Sequence, residues 1–117
     1  MIYHIATRDD WAAAQATGSY RAASLDSEGF IHCSSKRQTL PVAQQFYRGQ
    51  GDLLLLCIEE SQLTAPLAWE APAHPNPEIS EFTGSDSEFP HIYGALNLDA
   101  VLAVKCLREG RDGFVLA

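Results

Sequence analysis

Residues 52–59, "DLLLLCIE", carry six consecutive apolar side chains, Leu53 to Ile58. Side chains on a strand point alternately to its two faces, so a strand with one wet face alternates apolar with polar residues. An unbroken apolar run fits a strand covered on both faces. Residues 100–107, "AVLAVKCL", have the same character, and the two runs are expected as central strands. "EGRDG" at 109–113 then turns the chain into a last strand, "FVLA", the hairpin partner of the second run.

Working outward, "MIYHIA" at 1–6 reads as a short strand and "TRDDWAAAQATG" at 7–18 as a helix. Thr7 is its cap, Asp10 completes a capping box, Gly18 stops it and Trp11 anchors it to the core. After an irregular "SYRAASLDSEG", Phe30 to Ser34 reads as a strand. A helix over roughly 36–48 follows, with Leu40, Ala43, Phe46 and Tyr47 at helical spacing and Gly49 at its end. "PLAWE" at 66–70 is an edge strand. This order, βα, βα, then mostly β, indicates α+β rather than a regular parallel alternation. Residues 71–88, "APAHPNPEISEFTGSDSE", are too long for a plain connection and read as either a functional lid or a disordered segment.

The 117 residues make one domain, 1–117, able to bury about two-thirds of its unfolded surface. Eight Lys plus Arg against fifteen Asp plus Glu give a net charge of −7, which repels a phosphate backbone and argues against nucleic acid as a partner. The N-terminal stretch has no leader pattern and no run is long enough to span a membrane, so a cytoplasmic protein is expected. Cys33, Cys57 and Cys106 are odd in number and lack CxxC spacing, which suits small core residues in a reducing compartment. Composition leaves the oligomeric state open.

Three of the four histidines, His4, His32 and His91, sit in short apolar runs. Alternation puts Ile2, His4 and Ala6 on one face of the first run, and Phe30, His32 and Ser34 on one face of the second. His91 and Tyr93 share a face opposite Ile92. Three such faces meeting would form a cleft offering stacking surfaces and hydrogen bonds without strong charge, suited to a nucleotide, nicotinamide or ribose. A satisfied core histidine is the plainer reading of each residue alone. A three-histidine zinc site is a second functional reading, but HxH or HxxxH spacing is missing and no metal is expected. A Cys33–His32 nucleophile pair fails on geometry, because neighbours on a strand face opposite ways. Trp69 and Glu70, just before the long loop, are further candidates.

"IYHIATRDDW" at 2–11, "GFIHCS" at 29–34, "LAWE" at 67–70 and "FPHIYGALNLDAVLAV" at 89–104 closely resemble, in the same order, the small bacterial proteins of the domain of unknown function 952 family. That resemblance implies no settled activity. More distantly, "IYHIAT" is similar to the first-strand "YHGT" pattern of ADP-ribosyltransferases, and "FIHCS" to the "HxHLS" strand of RNA 2′-phosphotransferases of the same fold. The resemblance implies two small, mostly antiparallel sheets packed face to face, with flanking helices and a cleft between them. It implies that His4 binds a ribose hydroxyl of NAD and that His32 replaces a tyrosine packed near nicotinamide. His91, or Glu88, falls near the third motif, where transferases often carry a glutamate. Ile5 stands where "YHGT" has its glycine, and "FPHIYG" offers no glutamate in the obvious place.

The expected function is therefore an ADP-ribosyltransferase-like protein binding NAD, a related nucleotide or a small metabolite, with glycosyl- or phosphotransferase chemistry at His4, His32 and His91. Thr7, Phe30, Ser34, Trp69, Glu70 and Tyr93 are its candidate ligand-binding residues. The alternative is a non-catalytic module of the same fold that holds a small molecule or peptide.

Overall fold

The computed structural model describes residues 1–72 and 87–116. Leu53–Ile58 forms strand β4, with all six side chains buried. It lies between β1 (Ile2–Ala6) and β8 (Val101–Gly110), and β8 turns back into β9 (Gly113–Leu116). The four strands make an antiparallel sheet in the order β1-β4-β8-β9. One face buries Leu56 and Ile58 with Ile2, Ala6 and residues Trp11 and Ala14 of helix α1 (Arg8–Thr17). The other buries Leu53 and Leu55 with Ile5, Leu107, Phe114 and Ala43 of helix α3 (Lys36–Phe46). Helices on both sides are why the apolar run of β4 never breaks.

The run at 100–107 is the second inner strand and turns into its expected hairpin partner β9, but it departs from its reading in how far it is covered. It does neighbour β4, but Leu102 is 60% and Val104 39% exposed. β9 pairs only with Leu107–Gly110, so the first half of β8 is an open edge that no element covers among the described residues. Helix α3 also turns a different side to the core. Gln38, Thr39 and Ala43 are buried, while Leu40 and Phe46 are exposed.

A second sheet has the order β3-β6-β5, formed by Ile31–His32, Phe89–Ile92 and Leu67–Glu70, with β5 on an edge as read from "PLAWE". The stretch "SYRAASLDSEG", irregular in sequence, contains β2 (Ser19–Tyr20), which pairs with β7 (Leu96–Asn97), and a short helix α2 (Ala23–Ser27). Two-residue strands are too short to leave a period in the sequence. The fold is thus α+β with antiparallel sheets, three in number rather than two. A bridge between Tyr3 and Ser34, with hydrogen bonds of 2.8 and 2.7 Å, splices the β3 segment to β1. The expected lid at 71–88 lies, over 73–86, outside the described residues. Among those described, no helix is long and apolar enough to cross a membrane.

Local signals explain the helix ends. Thr7 Oγ1 accepts from Asp10 N at 3.1 Å and Gly18 closes α1 with φ 93°. The reciprocal arm of a capping box forms at α3 instead, where Ser35 N donates to Gln38 Oε1 at 2.8 Å. At the β8–β9 turn Gly113 has φ 114°, and a Cβ there would collide with the Gln44 side chain that accepts from Phe114 N. Gly113→Ala is expected to cost about 2 kcal/mol. Urea unfolding checks this, and an unchanged midpoint would refute it.

Candidate functional site

Which histidines meet is decided by strand register. His32 lies directly opposite His91 in the β3–β6 ladder, and Cys33 N donates to Pro90 O one step further on. Phe30, His32 and Ser34 therefore share a face with His91 and Phe89, as the alternation within each strand predicted. Ile31, Cys33 and Ile92 point the other way into the apolar core. Glu70, opposite Phe89 on β5, joins the histidine face.

The same register separates His4 from the group. Because Tyr3 bridges Ser34, Tyr3 and Ile5 are the β1 side chains on the His32 side, and His4 turns to the opposite side of the layer. The three-histidine cleft is thereby corrected to a two-histidine one. His4 is 5% exposed, with Nδ1 2.5 Å from His32 O and Nε2 2.8 Å from Tyr20 Oη. A carbonyl only accepts, so Nδ1 carries the proton and the Tyr20 hydroxyl donates to Nε2. Burial lowers the His4 pKa to about 4, only partly offset by the hydrogen bond to the His32 carbonyl. His4 is a neutral tie between β1, β2 and β3.

His32 and His91 line a cavity of about 340 Å³ at the junction of the two larger sheets, together with Ser34 and Phe89. Its opposite wall is Ile5, Val42, Phe46 and Tyr47, and Glu28 stands at its polar side. Each histidine is held by a carboxylate. Glu28 Oε2 is 3.0 Å from His32 Nε2, and Glu70 Oε1 is 2.8 Å from His91 Nδ1. Tyr93 donates to the same Glu70 oxygen at 2.5 Å. Hydrogen bonds from Tyr93 and then His91 hold the Glu70 carboxyl below its ordinary pKa, and the same Glu70 contact pushes the Tyr93 hydroxyl up. Phe30 stacks on His91 with ring centroids 4.2 Å apart and tilts against His32 at 4.7 Å.

This arrangement fixes one tautomer. Glu70 accepts from Nδ1 of His91, so the neutral ring keeps its lone pair on Nε2, which no described residue engages, on a side chain 3% exposed that lines the cavity. A histidine oriented by a carboxylate is a general-base arrangement. The remaining candidates divide clearly. Tyr93 and Phe30 support the histidines from beside the cavity. Thr7 is occupied as the α1 cap. Trp69 alternates away from Glu70 and is 40% exposed, so the two do not act from one face. Cys33 is buried, and desolvation raises its thiol pKa, which makes it a poor nucleophile. Among the described residues no group of three His, Cys, Asp or Glu is placed to hold a metal.

Glu28 is the residue that sequence reading missed. It precedes His32 by four in a stretch without periodicity, and only the turn at Gly29, φ 90°, brings its carboxylate back to the ring.

The family model described as protein of unknown function (DUF952) matches residues 5–104. The chain is similar to protein CC0527 from Caulobacter crescentus. In the crystal structure of that protein the TM-score is 0.77 at 32% identity, covering 99% of this chain and 92% of that one. For its solution NMR structure the TM-score is 0.74 at 33% identity, covering 97% and 89%. No curated protein matches the chain.

Proposed function

This chain belongs to the DUF952 family, and we propose that its cavity binds NAD or a related nucleotide through the nicotinamide–ribose end, with His91 as proton acceptor and His32 as its partner across the ladder. The observation that carries the reading is a pair of facing histidines, each fixed by its own carboxylate, on the wall of one cavity. At about 340 Å³ the space is at the small end of the range for small-molecule sites, enough for one ring and its sugar. The apolar wall and the stack around Phe30 favour a flat ring. No Lys or Arg stands among the described lining residues, so phosphates would sit outside.

Cleavage of a ribosyl bond passes through a cationic, oxocarbenium-like state that a nearby carboxylate stabilises. Glu28 on the cavity wall supplies the acid that the "FPHIYG" motif lacks. Antiparallel sheets spliced at an edge with a cavity at the junction, together with the order of the motifs, support an ADP-ribosyltransferase-like arrangement, in which His4 holds the frame rather than the ligand.

Titration with NAD and with ADP-ribose, followed by the histidine ring signals in NMR, tests this. His32 and His91 are expected to shift while His4 stays still. No response at millimolar ligand removes the reading. If NAD binds but is recovered unchanged after long incubation, the cavity is a binding module and not a transferase.

A further inference from the structure

We propose that Ser34 is a nucleophile in this cavity, with His91 as its general base and Glu70 as the residue that positions His91, so that the protein hydrolyses small uncharged esters through an acyl-enzyme. The inference does not depend on the nucleotide reading. It begins from Ser34 itself, which is 4% exposed and lines the cavity, and whose hydroxyl makes no hydrogen bond to a described residue. Its oxygen keeps access to the cavity, whereas the hydroxyl of the neighbouring Ser35 is the one sealed without a partner among the described residues.

Three further features converge on it. Ser34 stands diagonally across the β3–β6 ladder from His91, the geometry in which side chains of one face come within reach. His91 already has the form a base needs, with Nδ1 donating to Glu70 at 2.8 Å and Nε2 engaged by no described residue. Ser34 also comes just before Ser35, the N-cap of α3, an 11-residue helix whose positive end therefore lies next to Ser34 in the chain, although the Gln38 amide of its first turn is already taken by Ser35 O at 3.2 Å. The positive end of the helix suits the oxyanion that forms when a hydroxyl adds to a carbonyl.

The steps balance without a further reagent except water. Ser34 Oγ bonds to the ester carbonyl carbon as its proton passes to His91 Nε2. The carbon–oxygen bond to the leaving alcohol then breaks, and that oxygen takes the proton from His91. Water next adds to the acyl carbon, giving its proton to His91, which returns it to Ser34 Oγ as the carboxylic acid leaves. The substrate class follows from the walls. Ile5, Val42 and Phe46 accommodate an apolar acyl group, whereas Glu28 and the lack of Lys or Arg among the described lining residues disfavour an anionic one.

A benzyl sulfonyl fluoride is the probe, since Ser34 Oγ would bond to sulfur with loss of fluoride, and peptide mapping would distinguish Ser34 from Ser35. A one-to-one adduct on Ser34 is expected, with p-nitrophenyl acetate turned over in an initial burst. His91→Asn should slow labelling at least about a hundredfold. Glu70→Gln should slow it less and shift its pH profile, which loss of packing alone would not do. The proposal is overturned if the adduct lies elsewhere, or if folded Ser34→Ala protein, checked by circular dichroism, hydrolyses the ester at the wild-type rate. Protection of Ser34 by NAD would support both readings. Labelling that NAD does not slow would keep this one and count against the nucleotide.

Discussion

Between pH 6.5 and pH 4 the folded protein is expected to lose roughly 3 kcal/mol of stability through His4 alone. The unfolded chain titrates this histidine near 6.5, but desolvation on burial lowers it to about 4 in the fold, against the opposing pull of the hydrogen bond to the His32 carbonyl. Between those values the unfolded state binds more protons than the native one, so stability falls as pH falls. Above 6.5 both states are neutral there and the contribution is whole. Below about 4 the loss has saturated. His4→Gln removes the titration while keeping a donor for His32 O and an acceptor for the Tyr20 hydroxyl. Urea midpoints at pH 7, 6, 5 and 4.5 should therefore fall less steeply in the variant than in the wild type. Parallel curves would show that His4 is not the group responsible. In NMR the His4 ring should stay neutral through pH 5.5.

The behaviour of His4 also marks the boundary of what the sequence encodes locally. Parity within a strand was legible. Phe30, His32 and Ser34 do share a face, and Ile31, Cys33 and Ile92 do enter the core. Parity between strands was not legible, because it depends on register, and a one-residue change of register moves every side chain to the other face. The bridge from Tyr3 to Ser34 sent His4 behind the layer, and nothing local in "IYHIA" encodes that pairing.

A similar division applies to the elements. β4 announced itself because two helices cover it. The run "AVLAVKCL", interrupted only by Lys105, has a similar apolar character yet is half exposed, since coverage belongs to the neighbours and not to the run. In α3 spacing marked a helix but not its orientation, and the decisive buried residue was the polar Gln38, which no hydrophobic pattern singles out. The strand pattern of "PLAWE" marks Glu70 beside Trp69, whereas Glu28 acquires its place through a glycine turn.

Gln38 itself supports the second large effect, a loss of roughly 3 kcal/mol in Gln38→Leu. The side chain is fully buried, its Oε1 accepting from Ser35 N at 2.8 Å and its Nε2 donating to Glu88 O at 2.7 Å. It thus ties the first turn of α3 to the entry of β6, and β6 carries Phe89 and His91 into the cavity. Leucine nearly matches glutamine in volume and helix propensity, so the cost comes from two abandoned backbone groups rather than from a void. Gln38→Glu separates the two arms. It keeps the acceptor for Ser35 N but sets a carboxylate against the Glu88 carbonyl, so it should be at least as unstable at neutral pH and should recover relative to Gln38→Leu on acidification, when the protonated acid can donate. Amide exchange reports where the damage falls: β6 should lose protection before β4 does, because β4 is clamped on both sides by the core. Equal loss in both strands would show that Gln38 stabilises the whole domain without particular hold on the histidine face.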